Sequence, residues 1–256
     1  MIIKVNNLVY SYKRGKNVLD NISMEIKDSK ILVILGLNGC GKTTLIKNMS
    51  GIYKPLYGSI TIDGRDIHNM APKERSKYIT YLSQKVNSFD DFIVRDYLSF
   101  SFLPELTFYQ KPSKEQLSLI DKYASSMNIS YLLDKKIDEI SGGQRQLVQI
   151  CGALLQNTEI IILDEPFSAL DMVNQNIVLK ALDKIVKESN KTIILSTHNP
   201  NHALFLKSDV ALMKEGKVVA FGKSSDIVNP EKLKAVYGDS ICFSNELDYE
   251  EVSLRI

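Results

Sequence analysis

The segment Gly36-Leu-Asn-Gly-Cys-Gly-Lys-Thr-Thr44 constrains this chain more than any other, because it follows directly on the apolar run Ile31–Leu35. The spacing is that of a G-x-x-x-x-G-K-[ST] loop, in the setting such a loop requires: a buried strand before it and a helix after it. Glycines let the backbone wrap tightly, so that successive N–H groups turn inward toward an anion. A helix beginning at Lys42 adds roughly half a positive charge at the same point. Lys42 is placed to reach β- and γ-phosphates, and the Thr43 hydroxyl to ligate Mg²⁺. Asn38, Gly39, Cys40, Gly41 and Thr44 complete the expected cradle.

The remaining sequence suits an α/β host for that loop. The chain has 256 residues, 44% apolar and 24% charged, enough for one large α/β domain or one with a sizeable insert. Thirty-two Lys and Arg against 30 Asp and Glu leave a formal charge of +2, which argues against a nucleic-acid binder held by bulk charge. Cys40, Cys151 and Cys242 are too few and too scattered for a disulfide frame or a metal cluster, and read as free thiols. No apolar run approaches the ~18–20 residues of a membrane span. The start, Met1–Asn7, lacks the apolar core of a secretory signal. The chain is therefore expected not to cross a membrane itself.

Alternating apolar positions over 2–10 and 19–26 predict half-buried antiparallel strands. Further strands are expected at Ser59–Ile62, Tyr78–Ser83, Ile160–Leu163 and Thr192–Ser196, with turns at Gly216 and Gly222. Glycine is absent between Gly64 and Gly142, and helix formers dominate from about Phe89 to Gln156. Leu147, Ile150, Cys151 and Leu154 mark one face of a helix over 143–156. A helix from Val173 to about Glu188 should turn Val178, Leu182 and Ile185 inward, and 231–237 should form a last short helix. The acidic tail from Glu246 is expected to fray.

Two further motifs carry chemistry. Ile160-Ile-Ile-Leu-Asp-Glu-Pro166 ends an apolar strand in two carboxylates, at the edge where open α/β sheets bind ligands. Successive strand side chains point to opposite sides, so Asp164 is assigned to the Mg²⁺ shell and Glu165 to the attacking water. Ser141-Gly-Gly-Gln144 opens a helix and offers a hydroxyl, exposed amides and a helix dipole. It suits a second phosphate cradle. One chain already owns a cradle, so a second suggests that two chains face each other across a nucleotide.

Taken in order, these segments resemble the ATP-binding subunit of an ATP-binding cassette (ABC) transporter over nearly the whole chain. By that resemblance Gly36–Thr44 is the Walker A loop, Gln84 the Q-loop residue and Ser141, Gly142, Gly143 and Gln144 the signature, with Ile140 where Leu is usual. Ile160–Glu165 is Walker B with the catalytic Glu, Asp171 the D-loop aspartate, His198 the switch histidine and Tyr12 the adenine-stacking aromatic. The implied cofactors are ATP and Mg²⁺, the latter held by Thr43, Gln84 and Asp164. Lys42, Gln84, Glu165 and His198 form the catalytic set. Plainer alternatives stand beside these roles. Tyr12 could be a surface tyrosine on the same face as Tyr10, Asp171 an N-cap and Cys40 a packing residue, while His68 and His202 receive no function. Gly152 stands where many relatives have Arg, and Asn199 where Asp commonly follows the switch histidine.

The resemblance implies a P-loop NTPase core with an antiparallel β subdomain over 1–87 and 156–240, a helical subdomain over 88–155 and a tail over 241–256. It implies a head-to-tail dimer of two copies, integral-membrane permease subunits, an indirect substrate-binding protein, and residence at the cytoplasmic face of the cell membrane. The stretch Glu215–Gly222 with Ile227, Pro230 and Val236-Tyr-Gly238 resembles importers of iron–siderophores, haem, cobalamin and related chelates or oxyanions. After His198, 58 residues remain, so the added C-terminal regulatory domain of some sugar and methionine importers is not expected. An export or lipid-handling ATPase and a soluble ABC regulator are the alternatives. Phe89, Phe92, Tyr97, Phe100, Phe102, Phe108 and Tyr109 crowd the start of the helical segment. They are expected to build its core and, in part, to line a groove for the membrane subunit.

Overall fold

The computed structural model describes residues 1–13, 15–27, 30–84, 91–106, 110–238, 241–244 and 251–254. In chain order these begin with β1 (Ile2–Tyr10), β2 (Leu19–Lys27), β3 (Ile31–Gly36), α1 (Lys42–Met49), β4 (Tyr57–Ile62) and β5 (Arg65–Asp66). Next come α2 (Pro72–Tyr78), β6 (Ile79–Leu82), α3 (Val94–Ser99), α4 (Lys114–Ser126), α5 (Gly142–Leu155), β7 (Ile160–Leu163) and α6 (Met172–Ser189). Then follow β8 (Thr192–Thr197), α7 (Pro200–Phe205), β9 (Asp209–Lys214), β10 (Lys217–Lys223), α8 (Ser224–Ile227), α9 (Pro230–Tyr237), β11 (Ile241–Ser244) and β12 (Glu251–Leu254). The chain divides into two compact units, one of Met1–Ala71 with Thr192–Ile256 and one of Pro72–Lys191.

In the first unit β3 lies between β8 and β9, parallel to both, and β10 pairs antiparallel with β9. Every residue of β3 is buried, because a strand between two parallel neighbours is covered on both faces, and every residue of β8 is buried as well. That is why Ile31–Leu35 reads as an unbroken apolar run. A second, antiparallel sheet runs β2-β1-β4-β5 and alternates, with Ile3, Val5, Ile22, Met24, Ile26, Ile60 and Ile62 inward. The step from Leu19 to Ile22 breaks the alternation at a bulge. The register of β1 on β2 shifts on both sides of Leu8, and Asn7 and Asn21 take up the slack at φ 45° and 51°.

Two expectations are corrected here. Gly222 is not a turn: it sits inside β10 opposite Val210, where a Cβ would only touch Ile227 at 3.5 Å. The ladder to β9 continues through it, and the turn is made earlier by Glu215 and Gly216, at φ 48° and 78°. The tail is not frayed throughout, since β12 pairs antiparallel with β11 and satisfies its backbone there. Residues 245–250, with Glu246, lie outside the described residues, as does Phe89.

In the second unit β6 and β7 are parallel, with Ile79 opposite Ile160 and Leu82 opposite Leu163. The predicted face of α5 is buried at Leu147, Ile150, Cys151 and Leu154, and α6 buries Val178, Leu182 and Ile185. α4 opens on a capping box between Ser113 and Gln116. α2 buries none of its residues, so it leaves no apolar period in the sequence. Among the described residues no helix is long and apolar enough to cross a membrane.

Candidate active site

The phosphate-binding half is built at the end of β3. The strand approaches β9 so closely that a Cβ at Gly36 would lie 2.5 Å from the Met213 carbonyl oxygen. The chain then turns through exposed Leu37, Asn38 and Gly39, and Gly41 caps α1 in the left-handed region at φ 109°. A Cβ at Gly41 would also press on Leu19 and on the Val18 carbonyl, at 3.1 and 3.2 Å, so glycine is required twice over. From behind, Gly216 N–H donates to Cys40 O at 2.9 Å and Asp20 N–H to Gly216 O at 2.9 Å.

Among the described residues, the amides of Asn38, Gly39 and Gly41 have no internal acceptor. A row of such donors at a helix start is an anion cradle. The buried Lys42 spans the same loop, its Nζ donating to Gly36 O at 2.8 Å and Leu37 O at 3.1 Å. Thr43 is half-buried in the first turn of α1, and Thr44 is buried. Amides, an ammonium and a hydroxyl are the donor set that a triphosphate with a hard divalent cation takes. Cys40 is buried, its Sγ 2.8 Å from the place of a Gly36 Cβ, as a packing residue would be.

Tyr12 follows β1 and places its hydroxyl 2.9 Å from Thr44 Oγ1. Its ring stands at right angles to Tyr10 and Tyr53, which stack on each other with centroids 5.2 Å apart. Burial, followed by Tyr53 and Tyr12, raises the Tyr10 pKa.

His198 is exposed at the end of β8. Leu35 pairs with Thr197, so the histidine leaves the sheet at the same edge as the loop. Its carbonyl accepts from Tyr237 Oη at 3.2 Å, and Asn199 caps α7 by accepting from Asn201 N–H at 3.0 Å. His202, given no role by the sequence, is buried with Nδ1 3.0 Å from Thr197 Oγ1. Burial, helped by nearby His198, pushes its pKa down to about 4.

The remaining motif residues lie in the second unit. Asp164 and Glu165 leave β7 beside the end of β6, where Asp164 N–H donates to Leu82 O at 3.0 Å. Both carboxylates are buried, and Glu165 holds φ 48°, an unusual conformation for a side-chain-bearing residue. Such a backbone outlier is typical of a site that aims one group. Gln84 is exposed two residues past β6. Asp171 caps α6, accepting from Asn174 N–H at 2.8 Å.

Ser141 caps α5 in a capping box: it accepts from Gln144 N–H at 3.3 Å, and Gln144 Oε1 accepts from Ser141 N–H at 3.0 Å. Gln144 Nε2 donates to Tyr131 Oη at 3.2 Å. Among the described residues, nothing beyond its own helix and chain neighbours lies within 4 Å of a Cβ placed at Gly142, whereas one at Gly143 would meet Ala169 O at 3.0 Å. The glycines thus serve two ends, an open helix start and a close approach to the segment after Glu165.

Sequence reasoning missed Gln146. Its Nε2 donates to Pro166 O at 2.6 Å and its Oε1 accepts from Ala169 N–H at 3.0 Å. Nothing in its spacing signals this, since the contact is made by a fold of the chain and not by a period. Of the aromatic set, Phe102 is buried and Phe92 is exposed, its ring edge-on to Phe100 at 5.1 Å. Phe89, Phe108 and Tyr109 lie outside the described residues. Among the described residues no cluster of three or more His, Cys, Asp or Glu could hold a metal by itself.

Residues 19–168 match the family model described as ABC transporter. The chain is 33% identical to the ferric enterobactin transport ATP-binding protein FepC of Escherichia coli, over 86% of this chain and 82% of that protein. It is 31% identical to the iron(3+)-hydroxamate import ATP-binding protein FhuC of Bacillus subtilis, again over 86% of this chain and 82% of that protein. A metal-chelate type ABC transporter solved in an inward-facing conformation has a similar fold. The two superpose with a TM-score of 0.81 at 27% identity, covering 98% of this chain and 94% of that one.

Proposed function

The chain belongs to the ABC transporter family as an ATPase cassette, and on that premise we propose that it drives an importer of iron–siderophore, haem, cobalamin or a related metal chelate or oxyanion. The observation that carries the nucleotide reading is the row of Asn38, Gly39 and Gly41 amides without internal acceptors, set beside Lys42. The cargo class rests on the similarity to the two iron-transport subunits.

In this reading the amides of Asn38–Gly41 and the Lys42 ammonium bind the β- and γ-phosphates, and Tyr12 stacks on adenine. Thr43, Gln84 and Asp164 would hold Mg²⁺, which when bound would supply charge neutralisation to the phosphates. Glu165 orients the attacking water and accepts its proton, and His198 contacts the γ-phosphate. Positioning and charge carry phosphoryl transfer, with little covalent work for the protein. A second copy, head to tail, brings Ser141, Gly142, Gly143 and Gln144 to the nucleotide, and its Asp171 lies at the same seam.

The functional division of the chain follows the same logic: 1–87 and 156–240 form the nucleotide core, 88–155 the signature-bearing subdomain and 241–256 a tail. Permease subunits at the cytoplasmic face of the cell membrane receive the stroke, and a substrate-binding protein delivers cargo to them. Exposed Phe92, Ile93 and Leu103 are among the apolar contacts offered by the signature-bearing part. The test is reconstitution of the cassette with its permease in vesicles supplied with a ferric siderophore. ATP-dependent uptake is expected, and it should vanish with Lys42→Ala. Uptake of none of the chelates or oxyanions, alongside efflux of another solute, would overturn the import reading.

A further inference from the structure

We propose that Tyr53 positions Tyr12, and through it sets how tightly the site holds the adenine base. The inference rests on the reading of Tyr12 as the adenine-stacking residue and extends it to a residue that the loop motifs do not include.

Tyr12 follows the end of β1 and remains 56% exposed. An exposed ring on a connecting loop ordinarily samples several rotamers, and ordering it on binding costs free energy. Here it is held at three points. The hydroxyl meets Thr44 Oγ1 at 2.9 Å, which ties the far end of the ring to the first turn of α1. Tyr10 and Tyr53 stand perpendicular to it at centroid distances of 5.3 and 5.7 Å, the edge-to-face arrangement that aromatic quadrupoles favour.

Tyr53 is the rigid member of this set. It sits on the turn after α1, its N–H donating to Lys47 O at 3.0 Å and its carbonyl 2.8 Å from His68 Nε2. The Lys47 ammonium lies 5.3 Å from its ring centroid, a cation–π contact. The stack of Tyr10 on Tyr53, nearly parallel at 5°, carries that rigidity to the end of β1. The base platform is thus fixed by α1, the same helix whose start carries the phosphate cradle. No hydrogen bond engages the Tyr53 hydroxyl among the described residues, so the ring alone does the positioning.

The test compares binding of ATP and of inorganic tripolyphosphate to the full chain and its variants. Tripolyphosphate fills the cradle without a base. Tyr53→Leu should weaken ATP by about 3- to 10-fold, the effect of one aromatic contact. Tripolyphosphate affinity should stay unchanged, and Tyr53→Phe should bind both ligands as the native chain does. Equal loss of both ligands in Tyr53→Leu would assign the ring to the fold of α1, and no loss of either would leave it without a role; both overturn the inference. Tyr12→Ala separates the two layers of the argument. If it leaves ATP binding intact, the adenine reading itself falls, whereas ATP loss there without ATP loss in Tyr53→Leu sinks the Tyr53 inference alone.

Discussion

Gln146 joins the helix that begins at Ser141 to the segment that follows Glu165, clasping the Ala169 N–H at 3.0 Å while its own amide donates to Pro166 O at 2.6 Å. The start of α5 and the exit of β7 are therefore one mechanical piece within the second unit. A change at the start of α5 is felt directly at the backbone of Glu165, whose carbonyl also receives Gln146 Nε2 at 3.3 Å.

Gln146→Leu keeps the volume and removes all three bonds. The Ala169 N–H is exposed and can turn to water, and the Pro166 and Glu165 carbonyls are part-buried, so the loss should cost about 0.5–1.5 kcal/mol, visible as a lower Tm. Small misplacement of a catalytic group is expensive in rate, so turnover should fall by at least about tenfold. Nucleotide binding by the other unit should persist. Normal turnover in a variant with a lowered Tm would limit Gln146 to a structural part.

Glu165→Gln preserves the shape of the strand exit and removes the proposed base. Losing a general base typically costs ~10²–10⁴-fold in rate. Hydrolysis should nearly stop while ATP still binds, and the ATP-bound dimer should accumulate on size exclusion, because repulsion against the γ-phosphate is relieved. Near-native turnover would remove Glu165 from the mechanism.

The two-chain site can be tested by complementation. Lys42→Ala loses charge-assisted contacts worth ~1.5–3 kcal/mol and should bind ATP poorly. Ser141→Arg should bind ATP as a monomer yet block closure, since in the proposed head-to-tail dimer Ser141 serves the partner's nucleotide. Mixing the two inactive variants can restore at most one intact site in each mixed dimer, so partial activity should return. Loss of monomer ATP binding in Ser141→Arg would sink the shared-site reading.

The motifs were legible because their chemistry is local. Gly36–Thr44 needs left-handed glycines and a following helix, and both leave marks within one stretch of sequence. The buried strands were equally plain, since β3 and β8 are covered on both faces. What stayed hidden is set by long-range approach. Gly222 looked like a turn, yet its neighbours on β9 and at Ile227 decide that it is strand. The absence of an Arg at position 152 also finds its reason in packing. A Cβ there would lie 3.3 Å from Ser101 Oγ and 3.6 Å from Leu98, so a long side chain would displace α3 and the turn after it. Gln146 and Tyr53 act across distances that no period encodes.

His202 gives the fold a pH dependence of known sign. Its folded pKa, about 4, lies below the ordinary histidine value of 6.5, because burial and then His198 disfavour the charged ring. Above about pH 6.5 both folded and unfolded chains carry the neutral ring, and the stability it permits is fully present. As pH falls from 6.5 to 4 the unfolded chain binds a proton that the folded one refuses. Stability is lost over that window, by up to about 3 kcal/mol, and the loss levels off below it. The carboxylates titrate in native and variant chains alike, so a comparison isolates this ring. His202→Gln should be the less stable chain at pH 7.5, having lost the contact of Nδ1 with Thr197 Oγ1. Its Tm should nevertheless fall less between pH 6.5 and 4 than that of the native chain, and the two curves should converge. Parallel curves across the window would show that His202 does not titrate against the fold. Because Thr197 immediately precedes His198, the same acid range should slow ATP turnover in the native chain before global unfolding, and less so in His202→Gln.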